Sequence, residues 1–227
     1  MTHDMQAAAA SERPFQPLDP QASLALKLRH AVQCAVLAPS SHNSQPWHFI
    51  VEDDAITLCA DRMRALPVVD PFDRELIISC GAALMNLRIA LNYYGFAYRI
   101  TLFPSEVDPD VLANVRLEHA GFKDASLPPL FDAIAERATV RKPFERAPLS
   151  DSVKRALTDA GEAEGAHVVC IDDAKARARI AELIAEADAQ QFADPRFRRE
   201  LACWIHPKRS LDGMPTEAAG VAALLDL

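Results

Sequence analysis

The sequence predicts an α+β domain, and three observations predict it. Segments with helical apolar spacing and segments with strand-like composition are both present, without the regular alternation of a doubly wound parallel sheet. One stretch, Leu76 to Leu91, is apolar on nearly every face apart from Ser79, Asn86 and Arg88, which marks a helix buried at the centre of a fold. The chain has 227 residues, 50% of them hydrophobic and 25% charged, so it is long enough for a real core and ordinary in composition.

The elements follow in order. Residues 1–21 are polar, alanine-rich and proline-dotted, and read as a flexible N-terminal arm with no secretory signal. Ala22 to Leu37 read as a helix with Leu24, Leu28, Val32 and Val36 on one face. It stops before Pro39, because the residue preceding a proline is pushed out of the helical region. Trp47 to Glu52 and Ala55 to Ala60 read as strands joined by a hairpin-like turn at Asp53-Asp54. Asp70-Pro71-Phe72-Asp73 reads as a helix start, with Asp70 as cap, Pro71 in the first helical position, and Asp73 and Glu75 at the positive end of the dipole. This helix runs to Tyr94 and stops at Gly95. Its small residues Ser79, Gly81, Ala82 and Ala83 would admit a second helix closely, and a ligand contact at Cys80-Gly81 is the weaker alternative.

Tyr98 to Phe103 and Val115 to Glu118 read as further strands. Phe122 to Pro129 is a connector of low regularity, so the chain is divided there into halves, 22–125 and 126–227. In the second half, Leu130 to Arg137 and Ser150 to Ala160 read as short helices, the latter capped by Ser150 or Asp151. Ala166 to Ile171 reads as a strand and Asp173 to Gln190 as a long amphipathic helix. Phe197 to Ile205 and Thr216 to Leu225 read as helical.

Composition excludes some roles. A net charge of -8 with no basic run argues against nucleic acid or an anionic membrane as the main partner. No uninterrupted apolar run is long enough to cross a bilayer. The five cysteines are odd in number, form no CxxC and lie mostly in apolar segments, so they read as reduced thiols of a cytoplasmic protein. The seven histidines show no metal-binding spacing. His42 and His48 have no third ligand, and no metal site is expected.

Two segments carry chemistry. Ala38-Pro39-Ser40-Ser41-His42-Asn43-Ser44-Gln45-Pro46-Trp47-His48-Phe49-Ile50 crowds hydroxyls and amides between an apolar helix and an apolar strand. These groups both donate and accept hydrogen bonds, on a backbone restrained by Pro39 and Pro46, which suits a flat polar heterocycle better than a metal or a phosphate alone. The plainer alternative is a capped turn leading into a half-buried strand. The second segment is Glu136-Arg137-Ala138-Thr139-Val140-Arg141-Lys142-Pro143-Phe144. Arg137, Arg141, Lys142 and the Thr139 hydroxyl suit a phosphate monoester, whose oxygens a guanidinium binds in a fixed fork; the alternative is a solvated charged loop.

The first segment closely resembles the PSSxNxQPWxF run of the nitroreductase family of FMN-dependent enzymes. Arg137, Thr139 and Arg141 resemble the Arg- and Ser-bearing stretch that opens those enzymes and holds the FMN phosphate and ribityl chain. The order here is reversed, with the loop first and the Arg run about a hundred residues later. The simplest account is two nitroreductase-like halves fused in one chain, as in the Acg-like branch. Asp70-Pro71-x-x-Arg74-Glu75-Leu76, Ser79-Cys80-Gly81-Ala82-Ala83-Leu84, Glu200-Leu201-Ala202-x-Trp204 and Asp212-Gly213-Met214-Pro215 resemble that branch too.

The resemblance implies a three-layer fold, a mixed β-sheet flanked by helices around a long buried central helix. It implies FMN as cofactor, NAD(P)H as possible electron donor, and a nitroaromatic or quinone as small-molecule electron acceptor. Pro39, Ser40, Ser41 and Asn43 would contact the ring or ribityl chain. Arg137 and Arg141 would hold the phosphate, Thr139 the phosphate or ribityl, and Asp212-Gly213 would approach through backbone groups. No side chain need act as acid or base, so the catalytic list is empty. Acg-type relatives also suggest an alternative, a flavin-sequestering protein without turnover, with Phe197 to Pro215 as part of a lid. A degenerate fragment that binds nothing is the third reading. Monomer and homodimer are both compatible, because a duplication already supplies both halves of the interface. Members of that branch are longer, so truncation at the C-terminus and weaker flavin binding are expected.

Overall fold

In a computed structural model of the chain, which describes residues 18–19, 21–120, 123–140, 144–145, 147–206 and 211–216, the first helix starts at Ser23. The Ser23 hydroxyl accepts from the Leu26 amide at 3.3 Å, and α1 spans Leu24–Ala35. Its buried stripe is Leu28, Ala31, Cys34 and Ala35 with His30, one step round from the expected face, and Leu24 is exposed. Strands β1 (Trp47–Val51) and β2 (Ala55–Ala60) form the expected antiparallel hairpin across Asp53-Asp54.

The central helix α2 spans Arg74–Tyr93, starting later than Asp70. Residues 71–73 form a turn, and Asp73 is the N-cap residue with φ 55° and no capping bond from its side chain. Asp70 does the capping from outside the helix. Its buried carboxylate accepts from the amides of Arg74 at 2.8 Å and Leu76 at 2.9 Å, satisfying donors that have no intrahelical partner. Pro71 is therefore not the first helical residue. Asp70→Asn keeps the shape but loses the charge on two helix-end donors, and should lower unfolding stability by about 1 kcal/mol in a urea titration. At the other end Gly95 takes φ 75°. The amide of Phe96 bonds to Leu91 O at 2.9 Å and that of Gly95 to Asn92 O at 2.9 Å, which closes the helix in a Schellman turn.

Strands β3 (Ala97–Leu102) and β4 (Val111–Glu118) complete a sheet of order β1-β2-β4-β3. β4 is twice the expected length, because Ala113 and Asn114 pair with both β2 and β3 and Val111 pairs with β2. The four strands are antiparallel throughout. Among the described residues, parallel pairing enters only through β5 (Ile205–His206) and β6 (Met214–Pro215), a separate two-residue ladder. The α+β class expected from the sequence is the class observed.

The core lies between one face of the sheet and the helices. Ile56, Leu58, Ala113 and Val115 are buried in it with Leu28 and Ala31 of α1 and Leu76, Ala83, Leu87 and Leu91 of α2. The opposite face carries Thr57, Arg99, Thr101, Asn114 and Arg116. Arg99 and Arg116 stand directly opposite each other, and each is matched by an acid, Glu118 and Asp54, at 2.8 Å. Helix α2 is less enclosed than its composition suggests: Ile78 and Gly81 are exposed. It is also long and apolar enough to cross a membrane by length and composition alone, but half of that stretch is buried inside the fold. A 3-10 turn at Pro128–Leu130 and α3 (Phe131–Glu136) pack on α2, and Tyr93 stacks on Phe131 with ring centroids 3.8 Å apart.

Contacts divide the chain into two units. The first comprises the described residues of Met1–Thr139 and Glu200–Leu227, the second those of Val140–Arg199. The division expected near 125/126 is not a contact boundary, because residues 128–136 pack on α2. The second unit holds α4 (Asp151–Ala163), α5 (Ala174–Ala193) and the start of α6 (Pro195–Cys203). Ser150 caps α4 by accepting from Val153 N at 3.4 Å, and Asp173 caps α5 by accepting from Ala176 N at 2.8 Å. The strand expected at Ala166 to Ile171 is absent. The segment is irregular and unpaired, and Val169 and Ile171 are exposed. A β-like pattern becomes a strand only where a neighbour supplies the ladder, and this unit has none among its described residues. Of the helices expected late in the chain, the first is α6, ending before Ile205. The one expected at Thr216 to Leu225 lies outside the described residues beyond Thr216.

Candidate functional site

The loop between α1 and β1 is bent by local strain. Ser41–Asn43 is a 3-10 turn in which His42 and Asn43 hold φ of 52° and 54°, and Gln45 follows at 53°. Three left-handed residues without a glycine in four positions cost about 1–3 kcal/mol each, and such strain clusters at functional sites. Something must hold it. Within the loop, the Ser40 hydroxyl accepts from the Gln45 amide at 2.9 Å. From α2, the Glu75 carboxylate accepts the Ser41 hydroxyl proton.

The remaining support comes from far along the chain. The Asn43 side-chain amide donates to Gly213 O at 3.0 Å, and the Gly213 amide returns a bond to Asn43 O at 3.1 Å. Arg64 donates to Ser44 O at 3.0 Å and to the Asp212 carboxylate at 2.9 Å, tying the same two segments together. His206 lies 3.6 Å from the other Asp212 oxygen. Gly213 has φ 70°. A β-carbon there would fall 2.3 Å from the His206 ring and 2.7 Å from Trp204 O, so only glycine fits. Upstream, Glu200 accepts from the amides of Val68 and Val69, both at 2.9 Å. The segment from Glu200 to Met214 is thus fastened at both ends to the first half of the chain.

The Arg run enters at the base of the loop. The Arg137 guanidinium donates to Leu37 O at 3.3 Å, just past the end of α1 where a cation meets the negative end of the helix dipole, and to the Thr139 hydroxyl at 3.2 Å. Both side chains are exposed. Leu37 leads directly to Pro39, so two sequence segments a hundred positions apart meet at one end of α1. Arg141, also expected in the site, lies outside the described residues.

An exposed guanidinium beside a hydroxyl fits a phosphate, and the bent, hydroxyl-rich loop nearby fits the remainder of a flavin nucleotide. The sequence did not single out Arg64 or the bond from Ser41 to Glu75. Arg64 stands in no motif that distinguishes it from an ordinary surface charge, and Glu75 was read only as an acid in the first turn of α2 and part of the Asp70-to-Leu76 motif. Cys80 is buried, donates to Pro46 O at 3.2 Å, and has its thiol pushed up to about 12 by burial, so it braces the loop from behind. Of the other cysteines, Cys34 is buried, Cys59 half-buried, and Cys170 and Cys203 are exposed. Among the described residues no group of three or more His, Cys, Asp or Glu is placed to hold a metal. An open cleft of about 330 Å³ runs beside the loop, lined by Val32, Val36, Gln45, Trp47, His48 and Phe49 with Arg64, Leu211 and Asp212. Of the residues expected to approach a ligand, Asp212 lines it, while Pro39, Ser40, Ser41, Asn43, Arg137, Thr139 and Gly213 do not.

No family model matches the chain. It is similar to the protein named "Putative NAD(P)H nitroreductase acg" of Mycobacterium tuberculosis, 32% identical over 200 residues that cover 88% of this chain and 60% of the relative. It is also similar to an uncharacterized protein of the same organism, 34% identical over 195 residues that cover 84% of this chain and 56% of the relative. The chain spans little more than half the length of these curated relatives. A solved structure described as a putative NADH dehydrogenase/NAD(P)H nitroreductase from Parabacteroides distasonis is similar at a TM-score of 0.36 and 19% identity, over 47% of this chain and 80% of that one, too slight a likeness to carry an argument.

Proposed function

We propose that this chain belongs to the nitroreductase family of oxidoreductases and binds FMN at the loop held by Asn43 and Gly213. Relatives that carry a nitroreductase name over most of this chain support the family. The observation that carries the site is the reciprocal pair of bonds between Asn43 and Gly213, 170 positions apart. Two segments assigned to one ligand on separate sequence grounds are in direct contact.

In this reading Arg137 and Thr139, with Arg141, hold the phosphate. Pro39, Ser40, Ser41 and Asn43 hold the ribityl chain and ring edge, and Gly213 approaches through its backbone. What the flavin supplies when bound is two-electron transfer from NAD(P)H to a small acceptor such as a nitroaromatic or a quinone. The chain's own residues bind and orient, and none is required as acid or base. The protein would work in the cytoplasm on small molecules, as a monomer or homodimer.

The test is spectroscopic. Purified protein supplied with FMN and then with NADPH without oxygen should lose its flavin absorbance at about 450 nm and regain it when a nitroaromatic is added. A bound flavin that stays oxidised would favour sequestration over turnover. Protein that takes up no FMN would sink the reading.

A further inference from the structure

The Ser41 hydroxyl donates to the Glu75 carboxylate, a residue 34 positions away in the first turn of α2. A serine hydroxyl has one proton and two lone pairs. With its one proton engaged in the bond to Glu75, Ser41 can only accept from anything on its other side. The bond is charge-assisted, so it is stronger and more directional than a hydroxyl bonded to a neutral partner. Glu75 in turn sits where a carboxylate is favoured, at the positive end of the α2 dipole, on a helix end already fixed by the two bonds from Asp70.

Ser41 also opens the turn that holds His42 and Asn43 in left-handed conformations. Glu75 therefore ties the most strained part of the loop to the most buried helix of the fold. We infer that Glu75 is a positioning residue of the flavin site. It fixes Ser41 as an acceptor-only group toward the ligand and sets one negative charge a single hydrogen bond behind it. This rests on the flavin reading above, and it concerns a residue outside the Pro39-to-Trp47 loop motif.

The experiment measures FMN affinity and the midpoint potential of bound flavin in the full chain, for wild type, Ser41→Ala, Glu75→Ala, Glu75→Gln and the double variant Ser41→Ala/Glu75→Ala. Glu75→Ala should weaken FMN about fivefold, Ser41→Ala at least as much because it also removes the ligand contact, and the double variant no further than Ser41→Ala, because Glu75 acts through Ser41. Glu75→Gln still accepts the Ser41 proton and should bind FMN within about twofold of wild type. Its bound flavin should nonetheless shift to a more positive potential, because a negative charge beside a group that gains electrons has been removed. A merely structural brace would not move the potential. Losses that multiply in the double variant, or a Glu75→Gln flavin at the wild-type potential, would overturn the role of Glu75 while leaving the flavin reading intact. A wild-type protein that takes up no FMN overturns both. Should the alanine variants fail to fold, Glu75→Gln decides the matter alone.

Discussion

Gly213→Ala is expected to release the Trp204–Met214 segment from the loop it clasps. Two costs combine. The native φ of 70° disfavours any side chain, and the new β-carbon would fall 2.7 Å from Trp204 O. That oxygen cannot retreat freely, because it accepts the Met214 amide at 2.7 Å in the β5–β6 ladder. The His206 ring, 2.3 Å from the added atom, would also have to turn, loosening its approach to Asp212. Backbone strain and overpacking together amount to about 2–4 kcal/mol. The burden falls on one segment, so the measurement should be local. Hydrogen exchange at the amides of Gly213 and Met214 should accelerate by a factor of about thirty or more. Exchange in Leu87 and Leu91, at the centre of α2, should stay unchanged. Protection retained at Gly213 would show that the clasp is not held as described.

Arg137→Ala should weaken FMN about tenfold or more, the loss of about 1.5–3 kcal/mol expected when a charged partner of a phosphate is removed. The folded protein should hardly notice. Arg137 is exposed, and its bonds to Leu37 O and the Thr139 hydroxyl are long, at 3.3 and 3.2 Å. Equal melting temperatures beside unequal FMN affinities would therefore mark a ligand contact. Arg137→Lys keeps the charge without the fork, and should fall between wild type and alanine. Raising the salt should narrow the difference, since an exposed ion contact is screened. Unchanged FMN binding in Arg137→Ala would place the phosphate elsewhere.

Local signals were read well where the residues concerned answer only to their neighbours in sequence. Asp53-Asp54 gave a hairpin, Gly95 a helix end, Ser150 a cap, and Pro39 the limit of α1. Errors arose where a distant partner decides. Asp70 caps α2 from four residues upstream because the turn at 71–73 brings its carboxylate back to the amides of Arg74 and Leu76. Val111 to Asn114 joined β4 because β2 and β3 flank it. Ala166 to Ile171, with a comparable apolar pattern, found no flanking strand among the described residues and stayed unpaired.

The candidate site divides the same way. The sequence by itself determined the α+β class, the central helix, the hydroxyl- and amide-rich loop at Pro39 to Trp47, and the cationic run at Arg137. Each of these is a matter of composition or short-range spacing. Only the tertiary structure decided that Arg137 meets the end of α1, that Gly213 and Asn43 exchange hydrogen bonds, and that the Ser41 hydroxyl donates a hydrogen bond to Glu75. Those pairings join residues 34 to 170 positions apart. A one-residue spacing rule cannot specify them, because each is fixed by how α1, α2 and the sheet pack around one core, and only then do the polar groups at their ends come within hydrogen-bonding reach.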